Sequence, residues 1–109
     1  MKLRKIAHSR TGDKGDDATV SVIVYRQEDY PVIRDRITAA RVKAHFSEIV
    51  KGEVVRYELP HIGALNFVLH NALSGGVTRS LSLDIHGKSL SSLLLDMEVE
   101  ENNKNNSQQ

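Results

Sequence analysis

Residues 18–25, ATVSVIVY, alternate β-branched and small or polar positions, with Ala18, Val20, Val22 and Val24 on one face. That period of two predicts a strand buried on one side. Leu3 to His8 reads as a shorter strand, which makes residues 8–16 a loop between two strands. Asp29 can cap a short helix that accepts Pro31 in its first turn and runs to about Ile37. Thr38 can cap a second helix over 39–50, where Val42, Phe46, Ile49 and Val50 form one stripe and Gly52 sits at its end. EVVRYEL, 53–59, alternates again and is closed by Pro60.

From Gly63 to Leu73 the apolar positions Leu65, Val68, Leu69, Ala72 and Leu73 suit a helix, and Ser74-Gly75-Gly76 ends it. On that helix Phe67 points away from the apolar face, which marks it as an interface residue or the wall of a ligand pocket, and Asn66 and His70 share one flank. Leu81, Leu83 and Ile85 predict a further strand. Segment 89–99 fits a helical turn leading into a terminal strand, although one continuous strand also satisfies it. Together these elements predict an α+β sandwich, a mostly antiparallel sheet with helices on one face. Residues 1–99 are expected to form one domain, and 100–109, low in complexity, a disordered polar tail.

Composition narrows the functional classes. The 109 residues are 39% hydrophobic and 27% charged, as in ordinary globular proteins. Fifteen basic against fourteen acidic residues give a formal charge of +1, with no basic excess of the kind nucleic acid demands. Tyr25 and Tyr57 are the strand residues that could stack on bases, too few for an RNA-reading sheet. Absence of cysteine excludes disulfides, thiolate zinc sites and iron–sulfur clusters. No apolar stretch follows the basic start and no run reaches about 18 apolar residues, so neither a signal peptide nor a membrane span is expected. The expected location is the cytoplasm.

Candidate chemistry concentrates in HSRTGDKGDDA, residues 8–18. Gly12 and Gly15 allow tight turning that points backbone N–H groups at one spot, and Arg10 and Lys14 add positive charge, as an anion site requires. Asp13, Asp16 and Asp17 favour a hard cation instead, and the same residue types also serve a plain β-turn. His8, beside Ser9 and Arg10, is the candidate general base. In SGGVTRS, Gly75, Gly76, Thr78 and Arg79 repeat the glycine–cation chemistry, or simply stop a helix. Five histidines include Asp84-x-His86, but no metal-ligand spacing occurs and no metal is expected. GKS at 87–89 lacks the remainder of a phosphate loop.

The stretches IAHSRTGDKGD, RVKAHFSEIVKGEVVRYELPHIGALNFVLHNALSGGVTRSL and DIHGKSLSSLLLDMEV resemble, in order and over Leu3–Val99, the AtuA-like domain. That domain occurs at the C-terminus of acyclic terpene utilisation proteins and as a stand-alone chain. The resemblance implies a ferredoxin-like topology without its cluster, association with a larger AtuA-type protein, and a setting in acyl-CoA or terpenoid breakdown. Motif positions that match are His8, Ser9, Arg10, Gly12, Asp13, Lys14, Gly15 and Asp16, then Asn66, His70, Gly75, Gly76, Thr78 and Arg79. The resulting expectation is an accessory domain that self-associates or docks the larger protein and helps bind an anionic small molecule, a carboxylate or acyl-CoA, with no cofactor. The rival expectation is a stand-alone hydratase or isomerase on an acyl substrate, with His8 as base.

Overall fold

The computed structural model describes residues 1–14, 17–48, 50–71 and 90–100. Among these residues four strands, β1 (Ala7–Lys14), β2 (Asp17–Val24), β3 (Val54–Leu59) and β4 (Ala64–Leu69), form one sheet in the order β1-β2-β4-β3, every neighbour antiparallel. Three short helices, α1 (Tyr30–Arg36), α2 (Ala39–His45) and α3 (Leu90–Leu95), complete an α+β, ferredoxin-like architecture. No helix among the described residues is long and apolar enough to cross a membrane.

β2 is central and sets the layering. Ala18, Val20, Val22 and Val24 are buried, and the register places Leu69, Phe67 and Leu65 of β4 beside the first three. This face packs on Tyr30 and Ile33 of α1, Val42 of α2, and Leu90 and Leu94 of α3 in a single core. Among the described residues no helix covers the opposite, open face. Arg56 on the inner face of β3 donates to the carbonyls of Arg34 (2.7 Å) and Ile37 (3.1 Å), tying the end of α1 to the sheet. Those carbonyls lack intrahelical donors, so a guanidinium supplies what the helix end cannot.

Several sequence expectations hold and others change. Thr38 caps α2 by accepting the Arg41 N–H at 3.2 Å, but α2 ends at His45, short of residue 50. Asp29 precedes α1 without a side-chain cap bond. Gly52 is not a helix stop: a Cβ there would collide with the His70 carbonyl, so glycine permits a close approach of backbones. α3 confirms the helical turn after residue 89, and the expected terminal strand reduces to a single bridge between Lys2 and Glu98.

Two revisions bear on function. The first is that residues 8–14 are strand, not loop; β1 runs to Lys14, which pairs with Asp17. The second is that 64–69 is strand rather than helix, and Phe67 is fully buried. Phe67 is therefore a core residue and not an interface residue. In a strand, residues 65, 67 and 69 share a face, so the period of two that buries Leu65 and Leu69 takes Phe67 with them. The expected strand at 81–85 and the tail beyond Glu100 lie outside the described residues.

Candidate functional site on the open sheet face

Antiparallel pairing turns the open face into cross-strand rows. Arg10, Ser21, Asn66 and Tyr57 stand side by side on β1, β2, β4 and β3. Toward one end lies the row His8, Ile23, Ala64 and Leu59, with Tyr25 beyond it. Toward the other lies Gly12, Thr19, Val68 and Val55, and then Asp17 with His70. The face thus carries a cation, an amide and hydroxyls between an aromatic end and an acid–imidazole end.

The arrangement brings part of the first motif to part of the second. Arg10 and Asn66, far apart in sequence, occupy one row with Ser21 between them. The Arg10 guanidinium is exposed and meets no carboxylate among the described residues. Ser21 Oγ leans to the Arg10 carbonyl at 3.5 Å. His8 stacks on Tyr25, ring centroids 5.4 Å apart. Tyr25, Tyr57, Leu59 and Ile62 are the exposed large apolar side chains among the described residues, and all cluster near this aromatic end.

Other motif positions do not join them. Ser9 faces the helices beside Val22, its hydroxyl buried and without a partner among the described residues. Gly12 is required not by a turn but by a neighbour: a Cβ there would lie 2.8 Å from Thr19 Oγ1. Asp13 and Lys14 belong to β1, with Lys14 at the last paired position. Gly15, Asp16, Gly75, Gly76, Thr78 and Arg79 lie outside the described residues, as do Asp84 and His86. A glycine nest formed by residues 8–14 is excluded, because extended backbone points successive N–H groups in opposite directions.

Sequence reading passed over one pair. Asp17 Oδ2 lies 3.1 Å from His70 Nδ1, and Asp17 Oδ1 accepts the backbone N–H of Asn71 at 3.0 Å. The Asn71 N–H, and then His70, hold the Asp17 carboxyl below the usual carboxylate range. An ionised carboxylate only accepts, so Nδ1 carries a proton, and it is in the neutral ring that Nε2 holds a lone pair. His70 is fixed through its main chain too, donating to the Glu53 carbonyl (2.9 Å) and accepting from Gly52 N–H (3.1 Å). Asn71 closes the arrangement at φ 60°, a conformation asparagine tolerates. No local signal pairs residues 17 and 70; only the β2–β4 register does.

Elsewhere, a hollow of about 520 Å³ lies where the N-terminal residue meets residues 98–100, lined by Met1, Arg41, Glu98, Val99 and Glu100. Its arginine is occupied by the carbonyls of Arg36 and Glu98. Among the described residues no three His, Asp or Glu side chains converge as a metal would need.

No curated protein and no solved structure matches the chain. A family model, the AtuA ferredoxin-like domain, matches residues 1–100, nearly the whole length and all of the sheet that carries this face. The chain belongs to the AtuA ferredoxin-like domain family.

Proposed function

We propose that this chain is an accessory module that works beside a larger AtuA-type protein, its open sheet face contributing to a site for an anionic acyl compound. The observation that carries the reading is the row Arg10–Ser21–Asn66–Tyr57. It sets a guanidinium without a carboxylate partner among the described residues beside neutral hydrogen-bonding groups, the chemistry that recognises a carboxylate or phosphate. The exposed Tyr25, Leu59 and Ile62 supply apolar surface for an acyl chain or for the partner. The anion contact comes from strand residues, which hold geometry better than the flexible glycine loops expected from sequence.

Co-purification with the AtuA-type protein of the same organism, followed by acyl-CoA titration of the complex, tests this reading. Ile62→Asp is expected to weaken the association and Arg10→Ala to lower acyl-CoA affinity about tenfold, the loss of one charge-assisted bond. A chain that neither retains the partner nor binds acyl-CoA overturns it.

The Asp17–His70 pair favours a second reading, in which the chain itself is a hydratase or isomerase. The base then moves from His8, which stacks on Tyr25 with no acid among the described residues to orient it, to His70, whose ring is oriented by Asp17. Turnover of an enoyl-CoA by the isolated chain, lost in His70→Gln and kept in His8→Gln, would establish it. Equal rates in all three proteins would dismiss it.

A further inference from the structure

The outer edge of β3 has a pattern that the open-face site does not use. His70 directs both its N–H and its C=O to the β3 side, so by alternation Val68, Asn66 and Ala64 do the same. Their partners Val55, Tyr57 and Leu59 therefore face β4, and the backbone groups of Val54, Arg56 and Glu58 face outward. Among the described residues nothing pairs with those outward groups. On the far side of the sheet α3 packs on the inner face of β1, where Ser91 N–H donates to Thr11 Oγ1 at 3.1 Å. An unpaired edge is a template for another strand.

From this geometry we infer that the β3 edge is the seam of a homodimer, β3 pairing antiparallel with β3 of a second copy on a two-fold axis at Tyr57. Antiparallel pairing must set outward residues against outward residues, which leaves a short series of registers. Centring on Arg56 opposes arginine to arginine. Centring on Glu58 opposes glutamate to glutamate. Centring on Val55 leaves Arg56 against Val54 and Glu58 against Gly52. Centring on Tyr57 alone sets Arg56 of each copy against Glu58 of the other. The same register matches Tyr57 with Tyr57, and Val55 with Leu59, on the open face.

The two charges already meet within the strand, Arg56 Nη2 to Glu58 Oε2 at 2.8 Å, so the seam gathers four charges of alternating sign. Tyr57 and Leu59, both exposed, become partly covered. The two four-stranded sheets join into one, and both copies present their Arg10 rows on the same side. This seam gives a structural form to the self-association expected from sequence, without depending on the anion.

The chain has no cysteine, so single-cysteine variants report the register directly. At a non-hydrogen-bonded antiparallel pair, Cα atoms lie about 4.5 Å apart, within disulfide reach. Tyr57→Cys is expected to give mostly covalent dimer under mild oxidation, far above Ala40→Cys on exposed α2. Val55→Cys and Leu59→Cys are expected to cross-link with each other when mixed, and neither with itself. Adding Glu58→Arg to Tyr57→Cys is expected to cut the yield at least tenfold, with circular dichroism verifying that the fold persists. Arg10→Ala leaves the yield unchanged, so failure of the anion site and failure of the seam are separable. A Tyr57→Cys yield no greater than that of Ala40→Cys overturns the seam, as does preferential cross-linking through Arg56→Cys.

Discussion

At the residue scale, Asp17 joins the sheet to the candidate site. Its two acceptor bonds, from Asn71 N–H and His70 Nδ1, exist only when the chain is folded. A carboxyl whose folded pKa is depressed stabilises the fold above its unfolded value, about 3.9, and that contribution is lost as pH falls through the lowered pKa. Urea melts from pH 6 to pH 2 should therefore show Asp17→Asn less stable than the parent at pH 6, the gap narrowing below about pH 4. A gap constant across that range would mean that Asp17 acts through packing rather than charge. Arg56 is the other residue with two duties, closing α1 from the inside and presenting charge at the edge of β3.

At the element scale, β4 shows how local pattern and tertiary pairing compete. GALNFVLHNAL satisfies the helical spacing of Leu65, Val68 and Leu69 and the strand spacing of Leu65, Phe67 and Leu69 equally well. Pairing with both β2 and β3 decides for the strand, since it satisfies the backbone on both sides and buries a phenylalanine that the helix leaves outside. Phe67→Ala is accordingly expected to cost about 3–5 kcal/mol by chemical denaturation, the usual range for a fully buried phenylalanine. A loss below about 1 kcal/mol would contradict that burial. β1 was misread for a related reason. Its polar residues look like loop, yet only the inner face of an edge strand must be buried, and there Ala7 is buried, Ser9 half-buried, and exposed Thr11 accepts from the Ser91 N–H of α3.

At the scale of the whole molecule, the N-terminal residues 1–4 meet residues 96–99. Leu3 N–H donates to the Met97 carbonyl (2.8 Å), Val99 N–H to the Met1 carbonyl (2.8 Å), and Arg4 pairs with Asp96. Leu3, Met97 and Val99 are all buried in the main core, so this seam closes one side of the sandwich. Met97→Ala should lose about 2–5 kcal/mol and expose the amides of residues 1–6 to faster hydrogen exchange. Unchanged exchange there would show that the N-terminal segment holds independently. Across the open face, Arg10 and His70 stand about 13 Å apart along the strands, four residues of rise. A ligand touching both is an extended chain with an anionic head, not a small acid.

Sequence by itself determined β2, β3, the Thr38 cap and the α+β class, because those features follow from short-range alternation and capping chemistry within a few residues. The family, too, was legible in ordered motifs over nearly the whole chain. Tertiary structure alone decided that residues 8–14 and 64–69 are strands, that Ser9 and Phe67 turn inward, and that Asp17 meets His70. Each depends on register between distant segments. A strand's free energy comes largely from neighbours that its own residues do not encode.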